Sequence, residues 1–399
     1  MNPSQLPPLQ LNRGADKRLR KGHLWVYSNE IDTQSTPLKA LQAGQQVRLL
    51  GEKQRTIGLA TVNPKGLICA RVFSRNPEQP LDKSLLVHRF NQALSLRERF
   101  FSAPYYRLAY GDSDLLPGLV VDRFSDHLVV QISTAGMEAL SQEILDALDQ
   151  CFRPQSILFR NDHSARELEG LPLHQTDYGP VPEFAELIEN DTRFLAPLKA
   201  GQKTGWFYDH RMNRAMLQTL CKGKRVLDVF SYAGGWGVQA AVAGAKEAVC
   251  VDASVQALAW TDENASLNDV GEKVTTMQGK AIDVMKTLLN EETRFDVVVL
   301  DPPAFIKRRK DQKSGEAAYY HVNELGMRLL ARDGLLVSGS CSMHLSTERL
   351  VDLVRSAGRK IDRQVQIVHR GGQGPDHPAH PAIPETDYLK ALFARVYRD

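Results

Sequence analysis

The sequence predicts a multidomain α/β protein with a small β-barrel at the N-terminus, a central α+β domain and a C-terminal doubly wound, Rossmann-like domain. Three observations support this fold class. The first 76 residues hold short strand patterns between turn residues, the middle of the chain mixes helices with strands, and the second half alternates β-branched runs with amphipathic helices. We place the three domains at residues 1–76, 77–185 and 186–399.

The predicted barrel is built from strand patterns at residues 44–50, 56–62 and 68–73. Glycine, proline and asparagine separate these runs, as is typical of a small all-β domain. A stretch with two prolines at residues 76–80 follows and is the predicted linker.

The predicted central domain begins with a helical pattern at residues 81–101. Strand patterns follow at residues 105–110, 119–122 and 128–133, then a helix to about residue 151 and a strand at residues 156–160. This mixed order favours an α+β domain. Residues 183–195 lead into the last domain.

The C-terminal domain contains strand patterns at residues 225–230, 247–252, 274–278, 295–300 and 334–338, with helical patterns such as Val255–Leu267 between them. This alternation predicts a parallel sheet with crossover helices on both faces. Ligands of such sheets bind beyond the carboxyl ends of the strands. Asp252, Asp301 and Cys341 each follow a predicted strand end, so we expect them to line one cleft.

A glycine-rich loop at residues 230–237, with the sequence FSYAGGWG, follows the first strand of this domain. It lacks the G-x-G-x-x-G fingerprint of dinucleotide sites and suits a nucleoside without a pyrophosphate. Asp252 lies 18 residues after Gly234, close to the spacing of an acid that binds ribose hydroxyls. These features predict an S-adenosylmethionine (AdoMet) pocket. A glycine-rich turn with a strand-end acid in another doubly wound fold is the alternative.

Several longer motifs carry a family resemblance. They lie at residues 22–27 (GHLWVY), 111–118 (GDSDLLPG), 121–124 (VDRF), 202–211 (QKTGWFYDHR), 226–237, 301–305 (DPPAF), 340–342 (SCS) and 376–378 (DHP). In these motifs and in their order, the chain resembles the class I AdoMet-dependent methyltransferases. Within that class it is similar to the large-subunit ribosomal RNA cytosine-5 methyltransferases with an N-terminal PUA domain. The resemblance implies that the predicted barrel is an RNA-binding PUA-like domain.

The resemblance implies that Cys341 is the nucleophile and that Asp301 acts beside it. Carbon 5 of cytosine is a weak nucleophile, and addition of a thiolate at carbon 6 activates it. Asp301 would bind the N3 and N4 edge of the ring and, if protonated, would stabilise the charge that develops there. The base that removes the carbon 5 proton is not assigned.

The resemblance also assigns binding residues. Where related enzymes often have an acid after the third strand, this chain has Lys280, and the nearest acid is Asp283. The expected cofactor-binding residues are Lys203, Thr204, Phe207, Asp209, Arg211, Phe230, Tyr232, Gly234, Gly235, Asp252, Asp283 and Asp301. The expected substrate-binding residues are Pro302, Phe305, Lys307, Arg308 and Arg309.

Two other functions stay open from the residues alone. An acid, two prolines and an aromatic ring also occur where exocyclic amino groups are methylated, so Asp301 and Phe305 could serve a guanine or adenine N-methyltransferase. The second alternative is an RNA-binding assembly factor without catalysis. We expect the RNA partner to be 23S ribosomal RNA or a partly assembled large subunit, and we leave open whether the chain forms a homodimer.

Charge and composition agree with an RNA enzyme of the cytoplasm. The net charge is only +3, but basic residues cluster at residues 13–23 and at 307–310, directly after the Asp301 motif. The five cysteines show no C-x-x-C pair, and no metal is assigned. The histidines in the motif at residues 376–381 are expected in a solvent-facing loop. No apolar run of membrane length or leader-like segment is present, so neither export nor a membrane partner is expected.

Overall fold

The computed structural model describes residues 5–398. These residues form two compact units, which we describe separately. The first comprises the described residues up to Ala185 together with Pro197–Tyr208 and Pro375–Thr386. The second comprises Glu186–Ala196, Asp209–Gly374 and the described residues from Asp387 onward.

The first unit begins with a five-stranded sheet in the order β1-β3-β4-β5-β2. Its interior is apolar, and Leu9, Val47 and Leu49 are fully buried there. The elements are β1 (Pro8–Gln10), α1 (Asp16–Arg20), β2 (Trp25–Tyr27), β3 (Gln46–Leu50), β4 (Thr56–Val62) and β5 (Ile68–Ser74). The strand patterns at residues 44–50, 56–62 and 68–73 therefore predicted β3 to β5 to within two residues.

A second five-stranded sheet completes the first unit, in the order β10-β9-β8-β7-β6. Its strands pair antiparallel except β8 with β9. Helices α2 and α4 pack on it through a shared apolar cluster. The elements are α2 (Lys83–Arg97), β6 (Tyr105–Tyr110), β7 (Leu119–Phe124), β8 (His127–Ile132), α3 (Ala135–Glu138), α4 (Ser141–Phe152), β9 (Ser156–Asn161) and β10 (His174–Tyr178).

The prediction of a solvent-facing loop around His377 is wrong. Asp376 and His377 are buried at 0% and 2% exposure. The Asp376 carboxylate accepts the backbone N–H of Arg107 at 3.0 Å, and its carbonyl accepts a guanidinium N–H of Arg97 at 2.8 Å. The His377 ring packs on the ring of Tyr110 with centroids 5.1 Å apart. Hydrogen bonding and ring packing satisfy these polar groups inside the first unit, which the proline-rich sequence did not indicate.

The second unit is built on a seven-stranded sheet in the order β15-β14-β13-β16-β17-β19-β18. Its strands are β13 (Arg225–Val229), β14 (Glu247–Asp252), β15 (Val274–Gln278), β16 (Phe295–Leu300), β17 (Leu330–Ser340), β18 (Gln364–Gly371) and β19 (Lys390–Tyr397). Its helices are α5 (Arg211–Gln218), α6 (Gly237–Val242), α7 (Val255–Leu267), α8 (Ala281–Asn290), α9 (Gln312–Leu329) and α10 (Thr347–Lys360). A hairpin of β11 (Phe184–Glu189) and β12 (Thr192–Pro197) precedes them, and residues 186–196 of it belong to this unit.

The five strands predicted for this sheet run parallel as expected, and two strands that were not predicted, β18 and β19, complete it. β19 runs antiparallel to both of its neighbours, β17 and β18, while the other strands share one direction. The chain returns to insert its last strand between two earlier ones, and local patterns do not encode that order. The strand order reverses at β13, so the loops after β13 and β16 lie at the switch point where such sheets bind ligands.

Candidate active site

The glycine-rich loop that follows β13 has a strained backbone. Phe230 and Tyr232 have φ values of 70° and 49°, in the left-handed region that side chains rarely adopt, and Gly234 has a φ of 79°. A Cβ atom at Gly234 would lie 2.7 Å from Val238 and 2.8 Å from Thr261. Such strain often occurs at ligand sites, where the surrounding structure holds it in place.

Asp252 at the end of β14 holds this loop in place. One carboxylate oxygen accepts the backbone N–H of Tyr232 at 3.0 Å, and the other accepts that of Ser254 at 2.9 Å. From α7, Thr261 donates to the carbonyl of Tyr232 at 2.9 Å, and Asn264 donates to that of Ala233 at 3.0 Å. A carboxylate oxygen has two lone pairs, so Asp252 keeps the capacity to accept ligand hydroxyls.

Two buried polar atoms beside this loop lack a hydrogen-bond partner among the described residues. They are the hydroxyl oxygen of Ser231 and Oδ1 of Asp228. Burial raises the pKa of Asp228 to about 8, and the N–H of Gly237, which donates to its Oδ2 at 2.9 Å, opposes that rise. A strained loop, a strand-end acid and unpaired buried polar atoms fit a polar nucleoside ligand such as AdoMet.

Asp301 follows β16 and is held by two side chains. The indole N–H of Trp236 donates to its Oδ2 at 3.0 Å, and Nε2 of His210 lies 3.2 Å from its Oδ1. The His210 contact lacks the direction of a hydrogen bond, so its effect on Asp301 is electrostatic. Burial would raise the pKa of Asp301, but His210 and Trp236 outweigh burial and lower it. Asp301 is therefore a carboxylate at neutral pH, and the protonated form considered from the sequence is not favoured in the free protein.

The orientation of His210 follows from its second contact. The amide nitrogen of Asn213 donates to the carbonyl of Gly372 at 2.9 Å and contacts Nδ1 of His210 at 3.0 Å. Because an amide nitrogen only donates, Nδ1 must accept, and we assign the ring proton to Nε2. Nε2, which carries that proton, is the ring atom that lies 3.2 Å from Oδ1 of Asp301.

The Ser-Cys-Ser segment at the end of β17 is held by buried hydrogen bonds of its two serine side chains. Ser340 and Ser342 are fully buried. The hydroxyl of Ser340 donates to the hydroxyl of Tyr319 at 2.9 Å, and Tyr319 also contacts the hydroxyl of Ser342 at 2.8 Å. Ser342 in turn accepts the backbone N–H of Ile306 at 3.1 Å. The two serines therefore fix the backbone on both sides of Cys341.

Cys341 itself is half-buried and lies beside the Asp301 motif. Its sulfur is 4.0 Å from the carbonyl oxygen of Pro302. The cause is the register of the sheet, because β16 and β17 are parallel neighbours that pair Leu300 with Ser338. The thiol and the carboxylate that follow these two strands therefore lie at the same edge of the sheet.

Phe305 and the basic residues after it have different environments. The ring of Phe305 is half-buried, with its centroid 4.8 Å from that of Tyr319 and 6.4 Å from that of Phe230. Residues 307–310 are exposed, and the guanidinium of Arg308 lies 4.0 Å from Asp311. The basic cluster is therefore accessible to a large polyanion.

The motif at residues 202–211 is divided between the two units. In the first unit, the ammonium group of Lys203 lies 4.6 Å from the ring centroid of Phe207, and the buried hydroxyl of Thr204 donates to Asp122 at 2.5 Å. In the second unit, Asp209 accepts the hydroxyl of Tyr388, and Arg211 lies 3.4 Å from the buried carboxylate of Glu189. The predicted cofactor residues Thr204, Asp209 and Arg211 are buried.

Asp283 is an exposed residue in the first turn of α8. A carboxylate there stabilises the helix N-terminus. Within the described part of the chain, no hydrogen bond or ion pair joins its side chain to the loop after β13.

Four site residues were missed by sequence reasoning. Trp236 and His210 contact Asp301, whereas Tyr319 and Lys390 contact the segment around Cys341. Trp236 and His210 lay inside motifs that had been noted, so their aromatic and imidazole groups were an available signal. Tyr319 and Lys390 lie on a helix and a late strand, and only the folded chain brings them to the site.

Metal-binding groups and membrane-length apolar helices are both absent from residues 5–398. No group of three His, Cys, Asp or Glu side chains there could hold a metal ion. In the same residues, every helix is too short or too polar to span a bilayer. No disulfide joins any two of the five cysteines, all of which lie within the described residues, and burial raises the pKa of both Cys69 and Cys221 to about 11.

Two family descriptions match the chain. A PUA-like domain matches residues 9–75, and an S-adenosylmethionine-dependent methyltransferase matches residues 127–343. These matches confirm the predicted PUA-like and AdoMet-binding Rossmann-like parts of the fold and the predicted cofactor.

Curated relatives match over nearly the whole length. The "Ribosomal RNA large subunit methyltransferase I" of Tolumonas auensis is 35% identical over 397 residues, covering 97% of this chain and 98% of the relative. The protein of the same name from Erwinia tasmaniensis is 33% identical over 399 residues, covering 97% and 99%.

Solved structures show the same fold at low identity. A chain described as a SAM-dependent methyltransferase from Streptococcus mutans has a TM-score of 0.83 at 19% identity, covering 98% of this chain and 100% of that one. A methyltransferase complexed with SAH has a TM-score of 0.84 at 20% identity, with the same coverage.

Proposed function

Because the chain belongs to the ribosomal RNA large subunit methyltransferase I family of AdoMet-dependent methyltransferases, we propose that it methylates carbon 5 of a cytosine in 23S ribosomal RNA. The observation that carries this proposal is the position of a half-buried thiol beside the Asp301 motif, 4.0 Å from the carbonyl of Pro302. We place the enzyme in the cytoplasm, acting on the RNA or on a partly assembled large subunit.

Cys341 is the nucleophile in this proposal. Its thiolate adds to carbon 6 of the cytosine, and the electron pair of the C5–C6 double bond becomes available at carbon 5. AdoMet supplies the methyl group that carbon 5 takes up. Loss of the carbon 5 proton to a base then allows the C6–S bond to break, which restores the ring and the thiolate.

Asp301 orients the base. Its lowered pKa makes it a carboxylate, which accepts hydrogen bonds from the amino group at position 4 of cytosine. Trp236 and His210 hold both of its oxygens, so the carboxylate is arranged before the substrate binds. Uracil presents a carbonyl oxygen at that position, and the carboxylate would repel it.

The cofactor lies against the loop after β13 in this proposal. Asp252 would accept the ribose hydroxyls and the backbone at Phe230, Tyr232, Gly234 and Gly235 would approach the nucleoside. Asp283, the acid nearest in sequence to Lys280, would be the candidate partner of the adenine amino group. Lys203, Thr204, Phe207, Asp209 and Arg211 remain proposed cofactor residues from the family resemblance. Residues 307–310 would contact RNA phosphates, with Pro302 and Phe305 beside the target base.

The product of the reaction tests this proposal. Ribosomal RNA from a strain without the gene is incubated with the enzyme and labelled AdoMet, and its nucleosides are separated by mass spectrometry. We expect 5-methylcytidine, and we expect Cys341→Ala to abolish its formation while AdoMet binding persists. A methylated guanine or adenine that Cys341→Ala still produces would transfer the assignment to an N-methyltransferase using Asp301 and Phe305.

A further inference from the structure

Lys390 is a buried cation next to the segment that carries Cys341. Lys390 is the first residue of β19 and is only 7% exposed. The four residues that follow it are apolar and fully buried. Its ammonium group donates to the carbonyl oxygen of Ser342 at 2.7 Å. Burying a charged group in such surroundings costs free energy unless hydrogen bonds or opposite charges compensate for the lost solvation. A buried lysine at this position therefore indicates that nearby groups interact with its charge.

The sheet register brings Lys390 to both sides of the cysteine. β17 and β19 pair antiparallel, and Lys390 lies opposite Ser340. The same residue reaches forward to the carbonyl of Ser342. Its backbone and its ammonium group therefore flank the residues directly before and after Cys341.

Ionisable groups from several elements face this segment. Burial lowers the pKa of Lys390 below its usual value, and the nearby Cys341 and Asp387 only partly offset this, so the cation and the thiol affect each other's charge. On α9, burial raises the pKa of Tyr319, which therefore remains a neutral phenol. Asp301, at the end of β16, is a carboxylate and opposes a second negative charge nearby. Lys390 supplies the opposite charge that a thiolate in this cleft requires.

We propose that Lys390 is a positioning residue that favours the thiolate form of Cys341 and fixes the backbone of the Ser-Cys-Ser segment. This inference rests on the proposed function, in which that thiolate is the nucleophile. The thiol proton leaves to solvent, Lys390 keeps its own protons, and the ammonium group remains in place when the sulfur bonds to carbon 6. Release of the sulfur after methyl transfer is helped by the same charge.

The test measures the reactivity of individual thiols as a function of pH. The wild type, Lys390→Gln and Lys390→Arg are treated with iodoacetamide, and the alkylation of Cys341 and Cys151 is quantified by peptide mass spectrometry. Gln keeps a hydrogen-bond donor but removes the charge, and Arg keeps the charge. We expect the pH of half-maximal Cys341 alkylation to rise by about one unit in Lys390→Gln and to stay near the wild-type value in Lys390→Arg.

Cys151 and Lys360 provide matched controls. Cys151 is partly exposed but lies in the other unit, so its profile should not change in any Lys390 variant. Lys360 is an exposed lysine at the end of α10, and Lys360→Gln should leave the Cys341 profile unchanged. Methyl transfer by Lys390→Gln should fall about tenfold at pH 7 and recover toward the wild-type rate near pH 9, because a tenfold loss corresponds to one pKa unit.

Two results would overturn the inference. One is a folded Lys390→Gln protein, shown by retained AdoMet binding, whose Cys341 alkylation profile equals that of the wild type. The other result concerns the wild type alone. It is a Cys341 whose alkylation begins only at the pH at which Cys151 is alkylated. Failure of the proposed function is a separate outcome, because alkylation does not depend on catalysis and Cys341→Ala activity reports the role of the thiol directly.

Discussion

Replacement of Asp228 by asparagine should stabilise the ligand-free protein, and more so at higher pH. Asp228 is fully buried on β13, where burial raises its pKa to about 8. In the unfolded chain an aspartate has a pKa of about 3.9. Folding must therefore keep a proton on this group at pH values where the unfolded chain has released it, which favours the unfolded state.

The size of the effect follows from the two pKa values. Below a pH of about 4 Asp228 is protonated in both the folded and the unfolded state, so it does not reduce the free energy of unfolding. As the pH rises toward 8, stability is lost at about 1.4 kcal/mol per pH unit, which amounts to about 4 kcal/mol at pH 7. The amide introduced by Asp228→Asn does not titrate, and its carbonyl oxygen can accept the N–H of Gly237 as Oδ2 of Asp228 does. The gain from Asp228→Asn should thus be small at pH 4 and about 4 kcal/mol at pH 7.

The assay is urea unfolding of the wild type and Asp228→Asn between pH 4 and pH 8, followed by tryptophan fluorescence and circular dichroism. The difference in unfolding free energy at each pH is the quantity of interest. Asp269→Asn, at a position of the same unit that is not buried, is the matched control and should give a difference that does not change with pH. A pH-independent difference for Asp228→Asn, or a loss of stability at pH 7, would refute the argument from burial.

Three further predictions concern binding and catalysis. Asp252→Ala should weaken AdoMet binding by about 1–3 kcal/mol in calorimetry, because a charged hydrogen-bond acceptor is lost. Trp236→Phe should raise the pKa of Asp301 and lower kcat about tenfold, since an N–H donor to the carboxylate is removed, and the acidic limb of the pH–rate profile should move to higher pH. Glutamine at all four positions 307–310 should reduce the salt dependence of RNA binding by up to about 3 in the log–log slope.

Controls for these variants lie on the same unit. Glu263→Ala changes an exposed acid on α7 and should leave AdoMet affinity unchanged. Glutamine at Lys222 and Lys224 changes exposed cations before β13, at the opposite end of the strand from the glycine-rich loop, and should leave the salt slope unchanged. An unaltered pH–rate profile for Trp236→Phe would mean that the indole N–H does not lower the pKa of Asp301. A salt slope equal to wild type would make residues 307–310 an ordinary solvated loop.

The sequence predicted β14, β15, β16 and α7 with the observed bounds, because each is a continuous run with a clear period between turn residues. It also placed Asp301 and Cys341 at one edge of the sheet, since parallel strands that neighbour each other end at the same edge. The direction of β19 could not be predicted locally. Residues that support the site from a distance in sequence, such as Tyr319 and Lys390, were missed for the same reason.

The error at His377 has a different origin. Prolines on either side favoured an exposed loop, but the partners that bury Asp376 and His377 lie more than 260 residues earlier in the chain. The prediction for the serines on either side of Cys341 failed for a similar reason, because their partner is distant in sequence. Their polarity indicated a loop at the cleft, whereas both hydroxyls point to a buried phenol.

Trapping of a covalent complex tests the central claim most directly. A 23S ribosomal RNA substrate that carries 5-fluorocytidine is incubated with the enzyme and AdoMet and analysed under denaturing conditions. Since fluorine at carbon 5 cannot leave as a proton, the wild type should accumulate a protein–RNA adduct through Cys341, and Cys341→Ala should form none. Methylation of unmodified RNA by Cys341→Ala at the wild-type rate, with no adduct from the wild type, would contradict a cytosine-5 mechanism.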